Sequence, residues 1–261
     1  MRPLAELTRE AVAGLRAVLT DLDDTMTTDG RLPADSYAAL ERLGGAGLRV
    51  IPVTGRPAGW CDLIARFWPV DAVVGENGAL TYRYDRAARR MHRSYAADAA
   101  ERAANRARLA ALAEAIVAEV PGCAVAADQA FREADLAIDF REDVAPLPDA
   151  AIDRIVALFE AAGATAKVSS IHVNGWFGAY DKRTAAERLL REAFGLEPAQ
   201  CLYAGDSPND EPLFAAFPLS VGVANVRDEA HRMRHLPAYV TEARSGAGFV
   251  ELAAHLLRLR S

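Results

Sequence analysis

Short apolar runs alternate with amphipathic helical segments along most of this chain, and this alternation strongly limits the folds available to it. Strands that are apolar on both faces must be covered on both faces, and connecting helices do this in a parallel sheet. The sequence therefore predicts an α/β fold with a doubly wound parallel sheet. The first predicted elements are a strand at 16–20, a helix at 33–44, a strand at 48–53, a helix at 58–67 and a strand at 72–74.

The rhythm changes between residues 84 and 174. A long helix ending at Val120 precedes two extended runs, at 123–126 and 136–140, and a helix carrying Ile152 and Phe159 precedes two more, at 164–168 and 171–173. This order predicts an α+β cap, an antiparallel sheet with helices on one face, inserted into a core made of residues 1–83 and 175–261. In the second part of the core, helices are predicted at 182–194 and 211–217, and strands at 201–204, 219–221 and 239–241.

Charge and composition narrow the classes of partner. The formal net charge of −6 provides no overall positive field to attract nucleic acid or anionic lipid. Neither a secretory leader nor an apolar run long enough to span a bilayer is evident. Cys61, Cys123 and Cys201 are far apart and odd in number, which predicts reduced packing residues. We therefore expect a cytoplasmic protein, monomeric or homodimeric, with no nucleic-acid or membrane partner.

Two acidic segments follow predicted strands. In Asp21-Leu22-Asp23-Asp24-Thr25, Asp21 could attack an electrophile while Asp23 protonates the leaving oxygen and later deprotonates water. If the strands are neighbours, Asp206 and Asp210 of Gly205-Asp206-Ser207-Pro208-Asn209-Asp210 converge on Asp21. Carboxylates so close together require a cation, and oxygen ligands favour Mg²⁺. Taken singly, each segment also fits a helix cap or a solvated turn.

Two further segments favour a phosphate over a carbonyl substrate. Thr54-Gly55-Arg56-Pro57 follows the second strand, where a hydroxyl group, backbone amides and a helix N-terminus can bind phosphoryl oxygens. Lys182 opens a predicted helix, from which its charge could reach the phosphoryl group or restrain Asp21. The structural alternatives are an ordinary strand-to-helix turn and an isolated surface lysine.

In this order and spacing, DLDDT, VTGRP, YDK and GDSPND resemble the four motifs of haloacid dehalogenase superfamily phosphatases. The inserted segment resembles the C2B cap of subfamily IIB. The resemblance implies that Asp21 is the nucleophile and Asp23 the general acid and base. It implies that Thr54 and Lys182 orient the phosphate. It also implies that Mg²⁺ is bound by Asp21, the Asp23 backbone carbonyl and Asp206. Asn209 or Asp210 would complete or support this ligand shell.

The chain departs from the family pattern at two positions. Asp24 stands where glycine is frequent, and Arg183 stands where a glycine usually follows the motif lysine. We expect Asp24 to lie behind the site or face solvent, and Arg183 to narrow the groove or point outward. Neither departure removes a group that the chemistry requires.

Cap residues usually select the leaving group in this family. His172 and Asn174 share one face if their segment is a strand, and both suit sugar hydroxyl groups, although a purely structural histidine fits as well. Gly55, Arg56 and Asn77 are the predicted substrate contacts of the core. The cap type and the Asn-Gly-Ala segment resemble mannosyl-3-phosphoglycerate and sucrose-phosphate phosphatases, so a sugar phosphate is the first choice of substrate.

Three other functions remain open on sequence. A phosphomutase of the phosphomannomutase type would return the phosphoryl group to the sugar, and Gly175-Trp176 with Tyr180-Asp181-Lys182-Arg183 partly resembles its third motif. A receiver-like domain and a non-catalytic phosphate-binding module are further alternatives. The Asp21 and Asp23 pair and the inserted cap argue against both.

Overall fold

The computed structural model describes residues 1–260 and divides them among three sheets and their covering helices. The strands β1 to β13 are Arg2–Pro3, Ala17–Thr20, Arg49–Pro52, Val73–Gly75, Leu80–Asp85, Arg90–Tyr95, Ala124–Val125, Leu136–Asp139, Thr165–Val168, His172–Trp176, Cys201–Gly205, Leu219–Gly222 and Tyr239–Val240. The helices α1 to α8 are Arg9–Val12, Ala34–Gly45, Ala58–Phe67, Ala99–Glu119, Asp149–Ala161, Lys182–Leu189, Glu211–Ala216 and Ser245–Arg260.

The largest sheet has six parallel strands in the spatial order β1-β13-β12-β11-β2-β3. Apolar residues of α2 and α8 cover one face, and those of α6 and α7 cover the other. The predicted doubly wound α/β fold is therefore confirmed. Thr20, the last residue of β2, is level with Ala204 of β11 and Pro52 of β3. The chain segments that leave these three strands consequently meet at one edge of the sheet.

A smaller antiparallel sheet joins β4, β5 and β6, and an isolated bridge from Val53 to Val74 connects it to the end of β3. The arginine-rich run that begins at Arg83 therefore belongs to a hairpin, which the sequence analysis did not predict. This pairing places residues 84–95 beside the core strand β4. The division into core and cap stays a prediction, and the hairpin favours a boundary after residue 95.

The cap contains an antiparallel sheet with the strand order β7-β8-β10-β9. One face packs against α4 and α5 through Ile116, Ile155 and Phe159, as the order of elements predicted. Strand β10 continues to Trp176, beyond the predicted end at Val173.

The cysteines and the helices bear on what composition led us to expect. Cys61, Cys123 and Cys201 are all buried and unpaired, which agrees with their predicted role as packing residues. Within residues 1–260, no helix has the length and apolar character needed to cross a membrane.

Gly175 allows β10 to pass directly beneath α5. A Cβ atom added at this residue would lie 2.1 Å from ring atoms of Phe159.

We expect Gly175→Ala to destabilise the protein by about 1–3 kcal/mol, because the aromatic ring must move out of a packed core. Denaturant unfolding followed by circular dichroism measures this. Gly44→Ala is the control, since a Cβ atom within α2 meets nothing within 4 Å, and it should be neutral or stabilising. Equal stability of the two variants would contradict the packing argument.

Candidate active site

Asp21 lies immediately after β2 and remains attached to the sheet. Its backbone N–H donates to the carbonyl of Ala204 at 2.8 Å, so the residue is held beside the end of β11. The chain then turns, with Asp24 at φ 55°, in the left-handed region that favours glycine. Asp21 and Asp23 therefore follow the strand rather than lie on it, and the turn brings both to the wall of one cavity.

Lys182 is the first residue of α6, and a capping box formed by Asp181 and Thr184 fixes the start of that helix. Its Nζ lies 2.8 Å from Asp21 Oδ1 and 2.7 Å from Asp210 Oδ1. The side chain is 1% exposed. Burial alone would lower the pKa of Lys182, but the two carboxylates outweigh it and raise that pKa. The ammonium group therefore stays charged beside the predicted nucleophile.

Asp210 has hydrogen bonds at every position its carboxylate offers. Oδ1 accepts from Lys182 and from the hydroxyl group of Tyr203 at 2.5 Å, and Oδ2 accepts from the backbone N–H groups of Asp206 and Ser207. A Cβ atom at Gly205 would lie 2.4 Å from Oδ2, so the glycine permits this close approach. Four donors occupy the four lone-pair directions of a carboxylate. Asp210 thus anchors Lys182 and the loop that carries Asp206.

Asp206 is held by neutral donors on both oxygens. Thr25 Oγ1 donates to Oδ1 at 2.9 Å, and Asn225 Nδ2 donates to Oδ2 at 3.1 Å. Asn225 also donates to the backbone carbonyl of Asp24 and accepts from the N–H of Ser245. Each oxygen of Asp206 keeps one lone pair for a further partner.

The carboxylates of Asp21, Asp206 and Asp210 form a group that fits a cation. One oxygen of each lies within 4.8 Å of the others, and all three residues are buried. Burial raises the pKa of Asp21 to about 8, and the nearby carboxylates add to that effect while Lys182 opposes it. Burial, with the charges of Asp21 and Asp210, raises the pKa of Asp206. A divalent ion would offset this repulsion, and an all-oxygen donor set suits Mg²⁺.

The segment after β3 lies close to this group. Thr54 is fully buried, and its Oγ1 accepts from the N–H of Arg56 at 3.0 Å. Gly55 and Arg56 line the cavity, whereas Thr54 is not part of its lining. Asn209 lines the cavity too, with its Nδ2 donating to Asn77 Oδ1 and its Oδ1 accepting from Ser207.

Arg56 links the predicted acid and base to the cap. Its Nε and Nη2 donate to Asp23, its Nη2 and Nη1 donate to Glu142, and its Nη1 also donates to Asp128. The guanidinium group additionally lies over the ring of Trp60, 4.4 Å from its centroid. Arg56 is thus held by the protein itself, with 4% of its surface exposed.

Glu76 provides a second link between core and cap. This fully buried carboxylate accepts from the N–H of Ala58 in the core and from the N–H groups of Glu133, Ala134 and Asp135 in the cap. Burial, with the charge of Asp135, raises the pKa of Glu76 to about 7. One carboxylate of the core loop after β4 therefore holds three consecutive backbone N–H groups of the cap.

The cap residues predicted from sequence lie over the site. His172 and Asn174 are each 2% exposed and line the cavity. Asn174 Nδ2 donates to Asp135 Oδ2 at 3.0 Å, and Asn77 Nδ2 contacts the same oxygen at 3.5 Å. His172 Nε2 lies 2.9 Å from Glu142 Oε2, although the ring nitrogen is not aligned for a hydrogen bond.

The cavity enclosed by these groups is small. Its volume is about 10 Å³, roughly the space that one water molecule needs. Its walls are formed by Asp21, Asp23, Gly55, Arg56, Ser169, Ile171, His172, Asn174 and Asn209. The cap is therefore closed over the core in this conformation.

Comparisons with known proteins agree with this geometry. The family described as Sucrose-6F-phosphate phosphohydrolase matches residues 179–256. Phosphoglycolate phosphatase 1 of Saccharolobus solfataricus is 25% identical over 253 residues, covering 94% of this chain and 96% of the relative. The crystal structure of the Synechocystis sucrose-phosphatase, in complex with sucrose and phosphate, is 17% identical, with 92% of this chain and 97% of that chain covered and a TM-score of 0.64. A sugar phosphatase of haloacid dehalogenase subclass IIB is 14% identical, with coverages of 94% and 99% and a TM-score of 0.64.

Over most of its length the chain is similar to phosphatases, and its fold is that of a haloacid dehalogenase subclass IIB phosphatase. The resemblance drawn from its four motifs is thereby confirmed. The solved structures, at these identities, support the fold alone.

Several residues of this site were not predicted from sequence. Glu142, Asp128 and Arg132 come from cap segments that match none of the four motifs, and Asn225 comes from a short turn after β12. Glu76 directly precedes the predicted contact Asn77 but was not itself predicted. Their position after strands could have indicated Glu142 and Asn225, because each lies just beyond the carboxyl end of a strand, β8 and β12 respectively.

The raised pKa of Asp21 gives the protein a pH-dependent stability when no metal is bound. The folded state holds its proton up to about pH 8, whereas an unfolded aspartic acid loses it near pH 4. The stability that this proton contributes is fully present below about pH 4, and it decreases as the pH rises from there to about 8. We expect the unfolding midpoint in EDTA to fall between pH 5 and pH 8.5, and Mg²⁺ to oppose the fall.

Thermal unfolding at several pH values, with EDTA or Mg²⁺, tests this expectation. Asp21→Asn cannot ionise at this position and should show a weaker decline in EDTA. The same decline in wild type and Asp21→Asn would assign the pH dependence to other groups, of which Glu76 is the first to examine.

Proposed function

We propose that this protein is a Mg²⁺-dependent phosphomonoesterase that hydrolyses a small phosphorylated metabolite, a sugar phosphate, through a phosphorylated Asp21. The observation that carries the proposal is the meeting of Asp21, Lys182 and Asp206 at one buried point, although they are far apart in sequence. An oxyanion nucleophile beside a fixed cation and a cation-binding carboxylate suits an attack on phosphorus.

The proposed first step uses the two aspartates after β2. An oxygen of Asp21 attacks phosphorus and the bond to the leaving oxygen breaks, while Asp23 transfers its proton to that oxygen. Asp23 can then take a proton from water, which attacks the phosphorylated Asp21 and releases phosphate. Lys182 holds Asp21 in one orientation through the contact at 2.8 Å. Arg56 similarly fixes the carboxylate of Asp23.

Asp21 and Asp206 are the proposed side-chain ligands of Mg²⁺, because both keep unoccupied lone pairs. All four lone pairs of the Asp210 carboxylate already accept hydrogen bonds. Its proposed role is therefore to support Lys182 and the loop that carries Asp206, rather than to bind the metal directly. The backbone carbonyl of Asp23 remains a proposed ligand by family resemblance. When bound, the ion would reduce the repulsion between Asp21 and the anionic phosphate.

A sugar phosphate as substrate is supported by the family match and by the cap. The matching family is that of a sucrose-phosphate phosphohydrolase, and two similar structures are sugar phosphatases by name. His172 and Asn174 place polar groups at the cavity wall, where hydroxyl groups of a leaving sugar could bind. Since the cavity admits about one water molecule, the cap must move away from the core before substrate enters.

Asp21→Asn should abolish phosphate release, with at least a ~1,000-fold loss in kcat, because the amide removes the attacking charge with little change in volume. A panel of phosphomonoesters, assayed for phosphate with Mg²⁺ or EDTA, measures this for wild type and variant. Wild-type rates in the variant would place the nucleophile elsewhere. Transfer of the phosphoryl group to another sugar position, without phosphate release, would instead indicate a mutase.

Asp23→Asn should affect alkyl esters more than aryl esters, since an alkoxide leaving group needs a proton and a phenolate needs it much less. We expect the kcat ratio of variant to wild type to be about 10–100 times lower for a sugar phosphate than for p-nitrophenyl phosphate. Single-turnover measurements of the phosphorylation step make the comparison direct. Equal losses for both esters would contradict the acid role of Asp23.

A further inference from the structure

The charged groups on the cap side of the cavity are already paired with one another. All three nitrogens of Arg56 donate to the carboxylates of Asp23, Asp128 and Glu142, with two contacts at each nitrogen. A guanidinium group has no other donors. In this closed conformation, Arg56 therefore has no N–H group left for a substrate.

Arg132, the nearest buried arginine of the cap, is occupied in the same way. Its Nε and Nη2 donate to Asp128, and its Nη1 donates to Asp135 and to the backbone carbonyl of Gly55. His172 also lines the cavity, and its Nε2 faces Glu142 at 2.9 Å. Carboxylates thus outnumber the two arginines that they surround. Among the described residues that line the cavity, Arg56 is the arginine that a negatively charged leaving group would meet, and its donors are taken.

Glu142 is central to this arrangement because it contacts both Arg56 and His172. Its position is well defined, since Asp139 accepts hydrogen bonds from the N–H groups of Arg141, Glu142 and Asp143 at 2.7–2.9 Å. Burial alone would raise the pKa of Glu142, but His172 and Arg56 outweigh it and lower the pKa to about 2. The carboxylate is therefore ionised at neutral pH.

We propose that Glu142 is a specificity-determining residue that excludes leaving groups bearing a carboxylate and so restricts this phosphatase to neutral, hydroxylated leaving groups. The inference rests on the proposed phosphomonoesterase function and adds the chemical class of the leaving group. A substrate carboxylate would have to displace Glu142 from Arg56 and His172 or lie unpaired beside it. A hydroxyl group carries no such charge and can donate to Glu142 or accept from His172.

The test compares two small substrates that differ mainly in this charge. The pair is 2-phosphoglycolate, with a carboxylate on its leaving group, and 2-hydroxyethyl phosphate, with a hydroxyl group in its place. For the wild-type protein in Mg²⁺, we expect kcat/KM to be at least about tenfold higher for 2-hydroxyethyl phosphate. Glu142→Gln should lower this preference by about tenfold or reverse it, because donors of Arg56 and His172 become available to the carboxylate.

Two further variants separate charge at this position from charge elsewhere. Glu119→Gln makes the same chemical change on the cap surface, where Glu119 pairs with Arg154 and is 46% exposed, and it should keep the wild-type preference. Glu142→Asp retains the charge and should stay within about threefold of that preference. A shift in Glu142→Asp as large as that in Glu142→Gln would overturn the charge argument.

The outcomes distinguish this inference from the proposed function. A wild-type protein that releases phosphate from both esters but prefers 2-phosphoglycolate would overturn the inference alone. An unchanged preference in a folded Glu142→Gln variant would do the same. If Glu142→Gln does not fold, the preference of the wild-type protein between the two esters still tests the inference. Absence of Mg²⁺-dependent phosphate release from every ester tested would instead refute the proposed function.

Discussion

The buried ion pairs of Lys182 are the interactions on which the rest of the site depends. An ammonium group with 1% exposure is tolerable only because carboxylates contact it, and here both Asp21 and Asp210 do so. Asp210 is in turn held by Tyr203 and by two backbone N–H groups of its own loop. The end of β2, the end of β11 and the start of α6 are thereby fixed relative to one another, which sets the position of Asp21, the proposed nucleophile.

The contacts between core and cap around the site are of a different kind. Most are charged or polar: Arg56 with Glu142, Arg132 with Gly55, and Glu76 with three backbone N–H groups of the cap. Groups of this type can exchange their partners for water when two surfaces separate, whereas an apolar interface loses its hydrophobic stabilisation. The hydrophobic clusters of the cap and of the core sheet are separate. This separation allows the cap to move without disturbing either cluster.

Much of the fold was predictable because apolar periodicity controls it. The strands β2, β3 and β11 and the helix α3 agree closely with their predicted ranges, and the segments carrying Asp21, Thr54, Lys182 and Asp206 were assigned on position and residue type. The β5–β6 hairpin was missed because its outer strand is rich in exposed arginines, which conceal the alternation of a strand. The extension of β10 was missed because Gly175 normally weakens a strand, and only the position of the Phe159 ring explains it.

The links across the cap could not be predicted for another reason. Glu142 and Arg132 are placed in the site by contacts with residues distant in sequence, Arg56 and Gly55, and no local sequence pattern predicts such a contact. Asn225 is similar, since its contacts with Asp206 and Asp24 depend on the spatial order of β12, β11 and β2. Motifs identify groups that react, while groups that position or exclude are defined by tertiary structure.

The small cavity also has a kinetic consequence. While the cap is closed, space for about one water molecule does not allow exchange of reactants with bulk solvent. Every catalytic cycle must then include an outward and a return movement of the cap, and friction with the surrounding liquid opposes both. Where these movements are slower than the bond-making steps, turnover would decrease as the medium is made more viscous, whatever the reactivity of the ester.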